Sequence, residues 1–498
     1  MLDNVLLGLQ TAFTLENIMY CFGGVFLGTF IGVLPGIGSL AAVSMLLPLS
    51  FYLDPTTALV MLAGVYYGAE YGGSTASILL NLPGTPSSAV TCLDGYPMAM
   101  AGRAGVALFI TTIASFVGGS IGIVMLMLFA PLLASFALSF GPSEYFALMT
   151  LGLIAAAGVV QGSPLKGLAM VLLGLLLGAV GADVNTGETR LTFGLLGLYD
   201  GISLVALAMG LFGVAEIISS INTHKSASKD MSVRLSSMMP SAEERRKIGL
   251  PMLRGAGIGS FFGALPGAGQ SIAAFIGYAV EKRVSKDPSR FGKGAPEGIA
   301  SPEAANNAAV QAAFIPTLTL GIPGSATMAL MLGALLIHGI TPGPGLIAER
   351  PDIFWGLTMS FWIGNIILLI LNIPLIGIWV SLLKIRYNYL YPTILCLICI
   401  GVYTLNYSLF EVGLVLVFGA LGYFMRLFGF EPAPVLIGFV LGPMLEENLR
   451  RAMLLARGDF MLLLERPITA VLLAISAILL IRIAVRIVGN ARRSSVSG

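Results

Sequence analysis

The sequence predicts an all-α polytopic membrane protein with about twelve membrane elements, arranged as two inverted repeats with re-entrant or broken helices at Pro-Gly motifs. Composition is the first ground for this prediction. Of the 498 residues, 56% are hydrophobic and only 10% are charged, whereas soluble domains carry about 25% charged residues. The mean hydropathy is +0.91. The other grounds are apolar runs that recur from end to end and Pro-Gly motifs that each occur twice.

The apolar runs predict the helices in two sets, because a spanning helix needs about 20 mostly apolar residues. Several runs are too short to cross a bilayer alone. The first set lies near 18–34, 39–53, 57–80, 104–133, 144–161, 167–182 and 195–220. The second set lies near 255–280, 304–338, 353–380, 388–404, 407–424, 430–446 and 467–488.

The charges predict which side of the membrane the loops occupy. Residues 1–102 contain no Lys or Arg, whereas the polar stretch 221–254 carries seven bases against three acids. An excess of bases marks cytoplasmic loops, so this stretch and the basic stretch 281–294 are expected to be cytoplasmic. The predicted organisation is therefore a first membrane repeat at 1–220, a cytoplasmic basic loop at 221–252, a second membrane repeat at 253–446, and a C-terminal helix and tail at 447–498.

The segment between the two basic stretches is too short to cross twice. Residues 255–280 must enter and leave on the same side, and a helix rises only about 1.5 Å per residue. A re-entrant helical hairpin fits this length. Its turn is predicted at residues 265–269, Leu-Pro-Gly-Ala-Gly.

The two halves repeat the same motifs. Residues 28–38 and 259–269 share the pattern Gly-x-x-x-Gly-x-x-Pro-Gly-x-Gly, and Asn-Leu-Pro-Gly-Thr at 81–85 is matched by Gly-Ile-Pro-Gly-Ser at 321–325. The connection 281–294 is basic, whereas its counterpart near 51–57 is short and contains Asp54. Opposite charge in corresponding loops favours an inverted repeat. A parallel repeat is the open alternative.

Each Pro-Gly motif is predicted to break a helix and to form part of a binding site. Inside a membrane, irregular backbone survives only where protein buries it or where it lines a cavity. Proline and glycine break the helix, and the next helix then begins with free N–H groups that bind anions. The candidate substrate-binding residues are Pro35, Gly36, Gly38, Ser39, Pro83, Gly84, Thr85, Ser87, Ser88, Pro266, Gly267, Gly269, Gln270, Ser271, Pro323, Gly324, Ser325 and Thr327.

The four stretches around the breaks contain no Lys or Arg. A multiply charged anion bound there would need co-bound cations, so Na⁺ or H⁺ is expected as the coupling ion, with no other metal, no cofactor and no catalytic residue. The candidate ligands for that ion are Ser74, Thr75, Asn81, Asn306, Asn307, Thr317 and Thr319. Acids in or near apolar runs are further candidates, namely Glu70, Asp183, Asp200 and Glu216.

These duplicated motifs resemble the large membrane subunit of the bacterial tripartite tricarboxylate transporters. The resemblance is carried by residues 28–36, 259–267, 80–86 and 320–325, and it extends over nearly the whole chain. It implies a cation-driven importer of citrate or a related di- or tricarboxylate in the bacterial inner membrane. It also implies a small four-helix membrane subunit and a periplasmic solute-binding protein as partners.

Several alternatives remain at the level of sequence. One Pro-Gly kink alone is more often structural, and the same breaks suit a channel or a carboxylate facilitator that works without partners. An intramembrane hydrolase is suggested by Gly-x-Ser-x-Gly at 118–122 together with His338, although small residues also form helix-packing faces. Ser163-Pro-Leu-Lys166 is interpreted as a polar connection, and Cys396 and Cys399 as helix packing. A homodimer is an open alternative, and the absence of a basic tract with interleaved aromatic residues argues against nucleic-acid binding.

Overall fold

A computed structural model describes residues 2–160, 163–183, 186–220, 235–267, 269–382 and 387–496. The described chain is almost entirely helical, which confirms the predicted fold class. The helices of the first half are α1 (Leu2–Ala12), α2 (Leu15–Val33), α3 (Gly38–Ser50), α4 (Pro55–Leu80), α5 (Thr91–Met98), α6 (Ala104–Ala137), α7 (Pro142–Val159), α8 (Pro164–Gly178), α9 (Leu204–Ala208) and α10 (Ala215–Ser220).

The second half begins with α11 and ends in a long terminal helix. Its helices are α11 (Ala242–Gly263), α12 (Gly269–Val284), α13 (Glu297–Ala312), α14 (Phe314–Leu320), α15 (Ala326–Ile337), α16 (Gly345–Glu349), α17 (Pro351–Asn372), α18 (Ile376–Leu382), α19 (Tyr387–Asn406), α20 (Leu409–Leu427), α21 (Ala433–Leu455), α22 (Met461–Leu464) and α23 (Pro467–Val496). A π-helical segment, Met209–Val214, joins α9 to α10. Strands β1 (Gly181–Ala182) and β2 (Thr189–Arg190) form an antiparallel pair in which Gly181 faces Arg190.

Five helical segments of the described chain are long and apolar enough to cross a membrane. They are Leu15–Val33, Thr91–Ala137, Pro351–Asn372, Leu409–Leu427 and Pro467–Val485. Shorter apolar helices lie at Gly38–Ser50, Pro164–Gly178, Leu204–Ser219, Ala326–Ile337 and Tyr391–Asn406. The chain is therefore a multi-pass membrane protein in which several elements are too short to span alone, as the broken-helix prediction requires.

Two predicted segments differ from the observed elements. The apolar run 304–338 is divided into α13, α14 and α15, because Gly321 ends α14 in a left-handed conformation. Much of the predicted loop 221–252 lies outside the described residues, but α11 already begins at Ala242. Ser241 and Glu244 form a reciprocal capping box there, with N···O distances of 3.0 and 3.3 Å. This local signal starts a helix in a stretch whose polarity indicated a loop.

The duplicated Gly-x-x-x-Gly motifs bring pairs of helices into backbone contact. A Cβ atom on Gly28 of α2 would lie 2.3 Å from the carbonyl oxygen of Val65 in α4. In the second half, a Cβ atom on Gly259 of α11 would lie 2.1 Å from the carbonyl oxygen of Ala305 in α13. Small residues that allow helices to approach this closely are typical of membrane interfaces. These contacts make α4 the counterpart of α13 and Val65 the counterpart of Ala305.

Contacts between the two halves run in opposite directions along the chain. Glu70 contacts Asn306, Thr91 contacts Glu303, and Asp94 contacts Ala295. At these contacts residue numbers rise from 70 to 94 in the first half while they fall from 306 to 295 in the second. This direction is the one expected of an inverted repeat, which stays a prediction for the two halves as a whole.

Candidate transport site

A cavity of about 810 Å³ lies where all four Pro-Gly breaks meet. One wall is formed by the breaks and by the helices that begin after them. The rest of the lining, the second wall, comes from α7, the π-helical segment, α10, and the connection from α20 to α21. The structure therefore brings together four stretches that lie far apart in the sequence.

The first break of each half depends on glycines with positive φ angles. Gly36 and Gly38 have φ angles of +88° and +74°, and Gly267 and Gly269 have φ angles of +81° and +65°. Other residues rarely adopt this conformation. In each half the second of these glycines begins the next helix, α3 or α12, and the first turn of each of these helices lines the cavity. Ala268, within the second of these breaks, lies outside the described residues.

The second break of each half reverses the chain and then begins another helix. Asn81 and Gly321 end the preceding helices in the left-handed conformation, with φ angles of +56° and +70°. After the break, the Thr85 N–H donates to the Ser88 hydroxyl at 3.2 Å, and the Ser325 hydroxyl accepts from the Met328 N–H at 3.3 Å. Ser325 thereby caps α15, whose first residues also line the cavity. The N-terminal turns of α3, α12 and α15 thus give the cavity wall a positive electrostatic character.

Most of the predicted substrate-binding residues lie on this wall. They are Gly36, Gly38, Ser39, Pro83, Gly84, Thr85, Gly267, Gly269, Gln270, Ser271, Gly324, Ser325 and Thr327. The remaining candidates, Pro35, Ser87, Ser88, Pro266 and Pro323, lie beside the breaks and not among the lining residues. Whether the lining residues bind a substrate stays a prediction.

The residues predicted to hold the coupling ion are not brought together as a group. Several hydroxyls and one amide bond to carbonyl groups of their own helices: Ser74 to Tyr71, Thr317 to Ala313, Thr319 to Ile315 and Asn307 to Glu303. Thr75 is buried in α4, and Asn81 is exposed at its end. Asn306 differs from all of these, because its amide crosses between the halves and donates to Glu70 at 3.2 Å.

Glu70 is the centre of a buried polar network behind the cavity wall. Its side chain is completely buried. The carboxylate accepts from the Ser87 hydroxyl at 2.5 Å and from the Thr85 hydroxyl at 3.1 Å. It also accepts from the Gln270 amide at 3.4 Å. Because Thr85 and Gln270 line the cavity, Glu70 is separated from its interior by a single layer of side chains.

Arg426 is a site residue that the motif analysis missed. It comes from the end of α20, it lines the cavity, and its guanidinium donates to the carboxylate of Glu216. Its signal in the sequence was a lone base at the end of an apolar run, a position that is expensive inside a membrane and usually functional. The lining residues include Arg426 as the one base, with Glu216 and Glu431 as acids.

Lys166 was predicted to be an ordinary base in a polar connection, and this was wrong. It lies in the first turn of α8, and its ammonium group donates to the Phe428 carbonyl oxygen at 2.6 Å. The ammonium group also lies 4.6 Å from the centre of the Phe430 ring. Since Phe430 lines the cavity, Lys166 supports the wall from outside.

Asp183 and Arg254 have structural partners, whereas Asp200 has none among the described contacts. Asp183 is bound by Arg190 and Arg450, and Asp200 is exposed. Arg254 was assigned to the basic stretch 221–254, but it lies within α11 and donates two hydrogen bonds to the buried Glu281, at 2.6 and 2.9 Å.

The Gly-x-Ser-x-Gly pattern at 118–122 serves helix packing. Gly118 and Gly122 contact the backbone of α13 at Ala304 and Ala308. The Ser120 hydroxyl accepts from the Asn365 amide at 3.2 Å. Cys396 and Cys399 are free thiols, and no cluster of three or more His, Cys, Asp or Glu residues suited to a metal occurs in the described part of the chain.

Paired broken helices around a cavity in a multi-pass membrane protein are typical of secondary transporters. Comparison with known proteins supports this class. The sequence model of the tripartite tricarboxylate transporter TctA family matches residues 18–437, and the chain belongs to this family.

Two proteins of Agrobacterium vitis are similar to this chain. An uncharacterised 52.8 kDa protein in the TAR-I ttuC' 3' region is 51% identical over 476 residues, which cover 95% of this chain and 94% of the relative. A protein in the TAR-II ttuC' 3' region is 52% identical over 223 residues, which cover 45% of this chain and 92% of that relative. No solved structure matches the chain significantly.

Family membership establishes the coarse function. The chain is a component of a tripartite tricarboxylate transporter and not an enzyme, which argues against the hydrolase alternative. The tripartite family implies a small membrane subunit and a periplasmic binding protein as partners.

Proposed function

We propose that this chain imports a di- or tricarboxylate such as citrate across a bacterial inner membrane, driven by a Na⁺ or H⁺ gradient. The substrate is delivered by the periplasmic binding protein, and the small four-helix subunit completes the membrane assembly. The observation that carries the proposal is that the four Pro-Gly breaks and Arg426 line one cavity.

The chemistry of the cavity suits a carboxylate. The helices α3, α12 and α15 each present a first turn of N–H groups, and such an end is equivalent to about half a positive charge. Ser39, Ser271 and Thr327 add hydroxyls beside these ends. Arg426 offers a charge-assisted and geometrically matched contact to a carboxylate. The volume of about 810 Å³ lies within the range of about 300–1,000 Å³ that is usual for small-molecule sites.

The charge balance of the cavity supports coupling to a cation. The lining residues hold two acids and one base, so a substrate with two or three negative charges is not neutralised by the side chains alone. Burial of uncompensated charge is costly. Binding of Na⁺ or H⁺ together with the substrate removes part of this cost and links the two species thermodynamically.

The position of the cavity supports alternating access. It is lined both by the broken helices and by the second wall, which comes from α7, α10, α20 and α21. Movement of the broken helices relative to this second wall opens the cavity to one side of the membrane and then to the other. Transporters built from inverted repeats commonly work in this way.

The proposal is tested by reconstituting the chain with its small subunit in proteoliposomes, with the binding protein outside. Uptake of labelled citrate, succinate, malate and tartrate is measured with and without an inward Na⁺ gradient, and with an imposed pH gradient. Gradient-dependent, saturable uptake of one of these supports the proposal and identifies the substrate. Uptake of none of them contradicts it. Equal uptake without the binding protein and small subunit favours a facilitator, and large unitary currents favour a channel.

Arg426→Gln tests the cavity as the carboxylate site. Loss of a hydrogen bond to a charged group costs about 1.5–3 kcal/mol, so the affinity for the transported carboxylate is expected to fall about tenfold or more. Affinity is measured by equilibrium binding to the purified protein. Arg451→Gln is the matched control, because Arg451 is exposed on α21 and pairs only with Glu447 one turn away among the described contacts. Unchanged affinity in Arg426→Gln would place the carboxylate elsewhere.

A further inference from the structure

The contact between Glu70 and Asn306 leaves one buried oxygen unpaired. The Asn306 amide nitrogen donates to the Glu70 carboxylate, and the side-chain oxygen of Asn306 has no hydrogen-bond partner among the described residues. Asn306 is only 1% exposed, and Glu70 is completely buried. A buried polar atom without a partner is costly and calls for an explanation, such as an ion that binds there.

The groups around the neighbouring carboxylate of Glu70, which the Asn306 amide nitrogen contacts, form a set suited to a small, hard cation. The carboxylate oxygens of Glu70 and the hydroxyl oxygens of Thr85 and Ser87 lie in one hydrogen-bonded group. The described hydrogen bonds to Glu70 come only from hydroxyl and amide groups, so no Arg or Lys neutralises the carboxylate there. Oxygen donors with one negative charge favour a hard alkali or alkaline-earth cation over a transition metal. Glu70 supplies one carboxylate, whereas the neighbouring buried acid Glu303 accepts from the hydroxyls of Thr91 and Ser115. One carboxylate favours a monovalent ion.

We propose that Glu70 and Asn306 bind one Na⁺, and that this ion controls the affinity of the cavity for its carboxylate. This inference rests on the proposed function, whose site it deepens. Without the ion, the negative charge of Glu70 lies behind Thr85 and Gln270 and repels an anion in the cavity. With the ion bound, that repulsion is removed. By thermodynamic linkage, the carboxylate raises the affinity for Na⁺ by the same factor.

In the described part of the second half, the position equivalent to Glu70 carries no acid. The matching contacts of α4 and α13 make Val310 the counterpart of Glu70, and Val310 is completely buried. The inference therefore assigns one ion to the first-half break and none to its counterpart.

The test measures ²²Na⁺ binding and labelled-carboxylate binding on the purified chain. NaCl is varied at constant ionic strength with choline chloride, for the native chain, Glu70→Gln, Asn306→Ala and Asn372→Ala. Asn372 is the matched control, since it is a buried asparagine whose amide bonds to Leu368 of its own helix. Size-exclusion profiles establish that each variant is folded.

In the native chain, ²²Na⁺ binds without carboxylate, and Na⁺ tightens carboxylate binding at least tenfold. Glu70→Gln is expected to lose ²²Na⁺ binding and to bind carboxylate independently of Na⁺. Asn306→Ala is expected to need at least tenfold more Na⁺ for half-maximal ²²Na⁺ binding. Asn372→Ala is expected to behave like the native chain. If Glu70→Gln misfolds, the Na⁺ affinity of Asn306→Ala decides whether the proposed ion site exists.

Native ²²Na⁺ binding in both Glu70→Gln and Asn306→Ala overturns the inference. So does carboxylate affinity that follows pH and ignores Na⁺, because the ion is then a proton. If the native chain binds ²²Na⁺ but none of the carboxylates, the proposed function fails. In that case, loss of ²²Na⁺ binding in Glu70→Gln and Asn306→Ala still supports the ion site, and native binding in both still overturns it.

Discussion

The second Pro-Gly break of the first half and its counterpart in the second half have similar backbones but different surroundings. Gly84 and Gly324 both follow a proline and precede a hydroxyl residue that lines the cavity. Thr85, the residue after Gly84, donates to the buried carboxylate of Glu70, whereas the residue equivalent to Glu70 in the second half is the buried Val310. The repeat has therefore preserved the shape of the site in both halves but places a buried acid at this position in only one.

The two breaks also differ in how closely they are packed. A Cβ atom on Gly84 would lie 2.2 Å from the carbonyl oxygen of Gly32 and 2.5 Å from the Cα atom of Gly73. A Cβ atom on Gly324 would lie 3.3 Å from the carbonyl oxygen of Gly263, the residue equivalent to Gly32. The first-half break is the tighter of the two, and it is the one beside the buried acid.

The largest expected effect is that of adding a methyl group at the tighter break. Gly84→Ala forces backbone segments apart, and overpacking of this kind costs about 1–3 kcal/mol or more. We expect carboxylate uptake to fall to below about a tenth of the native rate, while Gly324→Ala retains most of it. Uptake is measured in the same proteoliposomes and normalised to the amount of protein incorporated. Equal losses in the two variants would show that the packing difference has no functional consequence.

A second asymmetry concerns Asp94, whose carboxylate joins the two halves. One oxygen accepts from the backbone N–H groups of residues 292–295 at 2.7–3.1 Å, and the other accepts from the Tyr278 hydroxyl at 3.0 Å. The spacing of the second breaks makes Ala334 its counterpart, which has no carboxylate.

Asp94→Asn is expected to lower the unfolding temperature of the purified protein by a few degrees, because hydrogen bonds to a charged group are worth about 1.5–3 kcal/mol each. The measurement is thermal unfolding followed by intrinsic fluorescence in detergent. Ala334→Ser, at the counterpart position, is the reference and is expected to change the temperature less. An unchanged unfolding temperature in Asp94→Asn would mean that this contact contributes little to holding the halves together.

The smallest expected effect is that of Lys166→Met, which weakens the second wall of the cavity. Lys166→Met removes the hydrogen bond to Phe428 and the contact with Phe430, which together are worth about 1–2 kcal/mol in a partly exposed setting. We expect carboxylate affinity to weaken about threefold while the maximal uptake rate is kept. Lys247→Met is the control, because Lys247 is exposed and pairs with Glu243 on its own helix. A larger loss than in Arg426→Gln would mean that Lys166 does more than support the wall.

The sequence predicted the features that depend on local chemistry. Proline and glycine restrict or release the backbone wherever they occur, so the four breaks and their pairing were visible from residues 28–38, 81–85, 259–269 and 321–325. The helical, multi-pass class followed from composition, because long apolar runs with few charges are typical of membrane-spanning helices. The cytoplasmic loop at 221–252 stays a prediction, but the helix that begins within it at Ala242 was missed because polarity was given more weight than the capping box at Ser241.

Only the tertiary structure decided which distant groups meet at the breaks. Glu70 lies 236 residues from Asn306 along the chain, and Arg426 lies 210 residues from Glu216. No local rule connects such residues, because their contacts depend on how distant helices pack. The sequence alone therefore determined where the helices break. Helix packing determined which charges lie around each break, because electrostatic interactions depend on distance in space and not on separation in sequence.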